Sequence, residues 1–337
     1  MTENTLVLFD LEWNIGYAPY TFNYHGAEQV LRGEIIEIGA VKIDRKGSVL
    51  DTFSIHLRPR IFRKLQHHIA KVTGLTQRDL DNGEPIVQGL RRFMAWCGPD
   101  AAFAEWGLDD VPVLKQNLFL ANLDESQPTV WYDLQRVFLS QRPRGEGEGM
   151  TLESVVTRLG IPMERPFHDA LSDTLYTADV CRAIDLEKGL AEYPDEDTLL
   201  RESLCPAPGD YHDFTIFRGY VDKDANRNIP AIRDAACPVC GSILQPDELW
   251  QKKGSNAFYS LCRCPVCAGT AGAAGKGVFL RFKVSRRDGL HWAFARCTEI
   301  PSAEKLAHWE KQRAQTIERM KKREAQAADA AAESAEP

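Results

Sequence analysis

The chain has 337 residues, 44% hydrophobic and 26% charged, which excludes a mainly disordered or fibrous protein and leaves room for two domains. Its net charge of −7 is uneven: residues 1–190 hold 20 Lys+Arg against 27 Asp+Glu, whereas residues 231–300 hold 10 against 5, so the overall balance argues neither for nor against a nucleic-acid partner. No apolar run reaches the ~18–20 residues that cross a bilayer, and MTENTLVLFD has no basic segment ahead of its apolar stretch, so a cytoplasmic protein with no membrane partner is expected.

Three strands are predicted first: residues 5–10 (TLVLFD), 34–44 (EIIEIGAVKID) and 49–57 (VLDTFSIHL), with Lys46-Gly47 as a hairpin turn between the last two. From Glu84 the spacing turns helical, with Ile86, Leu90, Phe93, Met94 and Cys97 on one face. A strand at 101–107, a helix near 111–120, a short strand at 129–134 and helices near 152–159 and 169–188 complete an α/β layered domain over residues 1–190. Residues 191–213, rich in Pro, Asp and Glu, are expected to be a linker. A β-rich unit over 214–300 surrounds a cysteine cluster. Ser302 caps an expected solvated helix over 301–325, and the Ala/Asp/Glu-rich residues 326–337 are expected to be a disordered tail.

Asp10 and Glu12 stand two residues apart on the first strand, which puts both carboxylates on one face, and two hard oxygen donors aimed at one point suit Mg²⁺ or Mn²⁺. Asp109-Asp110 follows the 101–107 strand, where ligands of open α/β sheets bind; one of the two is expected to cap the next helix. His168 and Asp173 lie five residues apart. On a helix that spacing turns through about 140°, so they converge only if His168 precedes the helix with Asp169 as its N-cap, where a mobile histidine suits a general base.

Asp-x-Glu, a mid-domain Asp and His-x4-Asp, in this order, resemble the DEDDh 3′→5′ exonucleases of the ribonuclease-H-like superfamily. GEIIEIGAVKID, Val72-Thr73-Gly74-Leu75-Thr76 and Trp106-Gly107-x-x-Asp110 resemble that family's second strand, substrate-wedging loop and second motif. Within the family, the nearest look is a bacterial branch related to small-RNA 3′ exonucleases that includes KinA-pathway inhibitors. The resemblance covers roughly residues 5–187. It implies a mixed sheet flanked by helices. It also implies two Mg²⁺ or Mn²⁺ ions held by Asp10, Glu12, Asp110 and Asp173, and His168 as general base. Asp110 is preferred to Asp109 because Leu114 supplies the leucine that the family places four residues after its ligand. The implied reaction releases nucleoside 5′-monophosphates from the 3′ end of single-stranded RNA or DNA. The stretch NIGYAPYTFNYHGAEQVLRG (14–33) is longer than in compact members; its aromatics either stack on bases or pack as a surface loop.

Cys237-Pro-Val-Cys240 and Cys264-Pro-Val-Cys267, 23 residues apart, resemble a zinc ribbon whose four thiolates close a tetrahedral structural Zn²⁺ site; Cys262 is the alternative to Cys264. Cys97, Cys181, Cys205 and Cys297 are read as buried or incidental thiols. Around the cluster, Arg281, Lys283, Arg286, Arg287 and Trp292 are candidate nucleic-acid contacts, set against a reading in which the aromatics form a minimal core and the cations are solvated. The expected function is therefore a two-metal 3′→5′ exoribonuclease. Sugar preference in assays separates it from a single-stranded DNA exonuclease, and a phenotype that survives metal-ligand mutation would indicate a regulatory protein that uses the fold as a docking platform.

Overall fold

A computed structural model describes residues 5–143, 150–206, 208–247, 249–252, 256–267 and 277–333. The chain divides into two compact units, Met1–Tyr193 with Arg287–Leu290, and Pro194–Arg286 with His291–Pro337.

The strands of the first unit are β1 (Leu6–Asn14), β2 (Thr21–Tyr24), β3 (Ala27–Val30), β4 (Glu34–Ile43), β5 (Val49–Arg58), β6 (Glu84–Pro85), β7 (Ala102–Glu105) and β8 (Trp131–Asp133). Its helices are α1 (His67–Thr73), α2 (Gln77–Asn82), α3 (Ile86–Cys97), α4 (Asp110–Leu120), α5 (Leu134–Ser140), α6 (Leu152–Arg158), α7 (Ala170–Arg182) and α8 (Leu186–Ala191). Six strands form one sheet in the order β6-β5-β4-β1-β7-β8. β1 runs antiparallel to β4 and parallel to β7, and β7 is parallel to β8, so the sheet is mixed. With helices on both faces, this is the ribonuclease-H-like exonuclease architecture.

Central β1 is buried on both sides because its alternate residues serve two cores. Val7, Phe9 and Leu11 join the cluster with Leu90 and Phe93 of α3 and Leu114 of α4. Leu6 and Leu8 pack instead with Ala178 and Cys181 of α7. The period of two then carries Asp10 and Glu12 onto the α7 face.

β2 and β3 form a separate hairpin inside the 14–33 stretch. Phe22 and Tyr24 are buried there, with ring centroids 5.7 and 4.8 Å from Phe119, so these two aromatics pack. Tyr17 and Tyr20 stay exposed.

The second unit contains α9 (Glu196–Leu204), β9 (Asp210–Tyr220), α10 (Ala225–Asn228), α11 (Pro230–Arg233), β10 (Gln245–Pro246), β11 (Gln251–Lys252), β12 (Ala257–Arg263), β13 (Val278–Ser285), β14 (Trp292–Ile300) and α12 (Ala303–Glu333). Its antiparallel sheet has the order β10-β12-β13-β14-β9, with β11 on β12. Three segments differ from the sequence reading. Residues 191–213 are not a bare linker: Asp195 caps α9 by accepting the Thr198 N–H, and Leu200 and Leu204 are buried against Ala295 and Cys297. α12 is not wholly solvated, because Leu306 and Trp309 are buried and the Trp309 ring lies 6.3 Å from Phe279. The same helix continues to Glu333, through most of the segment expected to be disordered; residues 334–337 lie outside the described residues.

Candidate active site

Three local devices bring the acidic side chains together at the end of β1. The first is the register of β1 on β4, which pairs Asp10 with Gly39 and Glu12 with Glu37 before a bulge at Glu12/Trp13 redirects the strand. The second is Gly39 itself. A Cβ there would lie 2.0 Å from the Ala170 carbonyl carbon, so only glycine lets the first turn of α7 rest on the sheet beside Asp10. Thr174 fastens that approach by donating its hydroxyl to the Gly39 carbonyl at 3.0 Å. The third is the start of α4, where Asp110 accepts the Leu11 N–H at 3.1 Å and donates its own N–H to Glu105 Oε2 at 2.7 Å. Asp110 is buried, whereas Asp109 is exposed and ion-paired with Arg32 at 3.3 Å.

Asp169 caps α7 through the Ser172 N–H at 2.8 Å, and exposed His168 stands just before the helix with φ of 64°. Its backbone N–H donates to Asp173 Oδ2 at 3.0 Å. The left-handed turn is what brings His168 back over Asp173, which a continuous helix would have pointed away.

Burial and mutual repulsion raise the carboxyls of the cluster. Burial, then repulsion from Asp110, Glu12 and Asp173, holds Asp10 well above the usual carboxylate range. Burial, then Glu37, pushes Glu12 to about 8. Burial pushes Asp110 to about 7 and Asp173 to about 6, each partly offset by the hydrogen bonds it accepts. Asp173 Oδ1 is buried without a hydrogen-bond partner. Hard oxygens that raise one another's pKa and include an unpartnered buried atom fit a divalent cation of the Mg²⁺ or Mn²⁺ type.

Two acidic residues here escaped the sequence reading. Glu37 is 2% exposed and lies 3.3 Å from His56 Nε2, a contact that raises the imidazole pKa. Glu105 is 1% exposed, with Oε1 unpartnered. A glutamate within the apolar run AAFAEWG was a visible signal for the second. Glu37 required the β1–β4 register.

In the second unit, the Sγ atoms of Cys237, Cys240, Cys264 and Cys267 all lie within 4.8 Å of one another, with 3.6 Å between Cys237 and Cys267 and 3.3 Å between Cys240 and Cys264. Tetrahedral zinc with bonds of about 2.3 Å separates its sulfurs by about 3.8 Å, so this donor set fits Zn²⁺. Cys262 is outside the group; it is buried, and its thiol is pushed up to about 12. Cys297 is buried and Cys205 half-buried, both outside the four-sulfur group, and the Cys205 thiol donates to Cys297 Sγ at 3.5 Å.

The candidate nucleic-acid contacts divide. Arg281 is bonded to buried Glu299 at 2.5 Å and lines a cavity of about 830 Å³ with Tyr259, Lys305 and His308. Arg287, within the first unit, lies 4.9 Å from the Trp131 ring and donates to the Trp131 carbonyl and the Tyr193 hydroxyl. Lys283 is half-buried on β13. Trp292 has Arg286 at 4.8 Å and Lys223 at 5.4 Å from its ring, a cation–π pair that leaves both charges near the surface.

Residues 26–181 match the family model described as "Exonuclease" (RNase_T); this span contains Asp110, His168 and Asp173, and the fold joins Asp10 and Glu12 to them. The chain is 27% identical over 202 residues to the "Probable 3'-5' exonuclease KapD" of Bacillus subtilis, covering 59% of this chain and 93% of that protein. It is 29% identical over 157 residues to a "DNA polymerase III PolC-type" of Thermotoga maritima, covering 44% of this chain but 10% of that one. Among solved structures, the nuclease domain of 3′hExo, a DEDDh family member, bound to rAMP, is 20% identical with a TM-score of 0.44, covering 56% of this chain and 94% of its own. E. coli exonuclease I in complex with a dA16 oligonucleotide is 15% identical with a TM-score of 0.46, covering 77% of this chain and 55% of its own. The first unit thus contains the segment that matches the RNase_T exonuclease family model.

Proposed function

We propose that this protein is a two-metal 3′→5′ exonuclease that acts on single-stranded RNA and releases nucleoside 5′-monophosphates. The observation that carries the reading is the convergence of Asp10 and Glu12 from β1, Asp110 from α4 and Asp173 from α7, with His168 turned back over Asp173. Two divalent cations held by these four carboxylates would place positive charge beside both the attacking and the leaving oxygen of a phosphodiester. The chain's own groups do the rest. His168, on the exposed side, takes a proton from the water that attacks phosphorus, and the P–O3′ bond breaks as the new P–O bond forms. Asp110 is held in place by Leu11 and Glu105, so its carboxylate is positioned before substrate arrives. The four cysteines take the role of a closed structural zinc site, and the nine unbridged thiols suit the reducing cytoplasm.

The preference for RNA follows the small-RNA branch that the sequence resembles. The test is degradation of 5′-labelled single-stranded RNA and matched DNA in Mg²⁺ or Mn²⁺, alongside Asp10→Ala and His168→Ala. Shortening of RNA from its 3′ end by wild type but by neither variant supports the proposal. Faster loss of DNA converts it to a DNA exonuclease, and intact polymers with zinc-loaded wild type overturn it in favour of a docking role.

A further inference from the structure

The first unit is acidic, yet from residue 52 to residue 78 it contains no Asp or Glu and six cations: Arg58, Arg60, Arg63, Lys64, Lys71 and Arg78. The middle of this run is tied to β1 two residues beyond Glu12, about 7 Å along the strand. Asn14, fully buried, donates Nδ2 to the carbonyls of Phe62 and Lys64 at 2.8 Å each and accepts the Gln66 N–H at 3.0 Å. Glu34, 3% exposed, accepts three successive backbone N–H groups, from Arg60, Ile61 and Phe62, at 2.6–2.7 Å. Two buried polar side chains are thus spent on shaping one exposed cationic turn.

The 14–33 insertion lays its aromatics against the same turn. A Cβ on Gly16 would be 2.5 Å from the Phe62 ring, so the insertion approaches as closely as glycine permits. Tyr20 meets Phe62 edge-on at 6.4 Å, and Lys64 Nζ lies 5.6 Å from the Tyr17 ring. Tyr17 is nonetheless 77% exposed and Tyr20 38% exposed, whereas Phe22 and Tyr24 of the same insertion are buried. Arg63 and Lys64 are exposed, and the only partner found for the Arg63 guanidinium among the described residues is the Arg60 carbonyl.

We infer that Tyr17, Tyr20, Arg63 and Lys64 form a binding platform for the single-stranded nucleic-acid segment 5′ of the reacting end. Bases stack on the two tyrosines, and Arg63 and Lys64 meet the phosphates. The stacked rings tolerate any base, so the platform supplies length dependence without sequence preference. It rests on the exonuclease reading for the direction of the strand, but its binding is measured separately from catalysis.

The experiment uses the full-length, zinc-loaded protein and a fluorescein-labelled, nuclease-resistant phosphorothioate strand of about twelve nucleotides, with a trinucleotide for comparison. Anisotropy titrations follow wild type, Tyr17→Ala/Tyr20→Ala and Arg63→Ala/Lys64→Ala, all checked by thermal melting. The expected result is about tenfold or greater weakening of the longer strand by the tyrosine variant with little change for the trinucleotide, and a shallower salt dependence in the basic variant. Hydrolysis of the p-nitrophenyl ester of thymidine 5′-monophosphate should be unchanged in both. Wild-type affinity of the variants for the longer strand overturns the proposal, as does a larger loss on a duplex stem than on the single strand. If wild type hydrolyses nothing while binding still depends on the tyrosines, the exonuclease reading falls and the platform stands.

Discussion

The two donor clusters are built in opposite ways. In the first unit, four carboxylates from three elements are gathered by register, by a close helix approach and by backbone hydrogen bonds, and they repel one another. In the second, four thiols come from two short knuckles; among the described residues, only this group brings three or more donor atoms within 4.8 Å of one another. Buried carboxylates repel one another and resist closing up, whereas the four sulfurs sit within 4.8 Å of one another, with the Cys240 thiol lowered to about 6 by its hydrogen bonds with Ser242 and Cys264. A cluster that stays open leaves room for phosphate and water, and one that closes holds structure.

The strongest way to break this contrast is Asp10→Asn. Hydrolysis of labelled RNA should fall by about a thousandfold or more while the melting temperature holds or rises, because a repelling buried charge is gone. An active Asp10→Asn protein would remove the carboxylate cluster from catalysis. Next, His168→Gln should cost about a hundredfold in kcat with little change in KM, as expected for a proton acceptor that does not hold substrate; a KM effect alone would make His168 a binding residue.

Cys264→Ser tests the closed cluster. It should release zinc, detected by metal analysis, and unfold the second unit, while the first unit still hydrolyses the small p-nitrophenyl ester. Retention of one equivalent of zinc would reassign the fourth ligand.

The smallest effect concerns pH. The carboxyls of Glu12, Asp110 and Asp173 sit at about 8, 7 and 6, above the usual 3.8 to 4.5. A carboxyl raised in the folded state contributes its stability fully below the unfolded pKa and loses it as pH rises through the folded pKa. Without divalent cations, the first unit should therefore lose stability from about pH 4 to about pH 8. Added Mg²⁺ should raise its melting temperature more at about pH 8 than at about pH 5, by about 2–4 °C for each kcal/mol recovered. An equal shift at both pH values would mean that Mg²⁺ binds elsewhere.

Much of this was legible in the chain. Strand alternation placed Asp10 and Glu12 together, helical spacing marked the buried face of α3, and the five-residue step from His168 to Asp173 required a break before α7. Glu37 and Glu105 were not, because a glutamate in an apolar strand can point to solvent as readily as to a site. Neither was the docking of α12: Leu306 and Trp309 are too few to make an apolar stripe, and what buries them is a sheet formed by residues far away in sequence.

The kinds of chemistry, hard oxygens in one half and paired thiols in the other, are written in the chain, because donor type and local spacing are properties of short segments. Folding is what separates the core aromatics of the 14–33 insertion from the surface ones and sets the Arg63–Lys64 turn beside them. Those outcomes depend on side chains dozens of residues apart, Asn14 and Glu34 binding the 60–66 backbone, and on the loop that Gly16 lets approach Phe62. Hydrogen bonds between distant segments are set by packing, which no local pattern encodes.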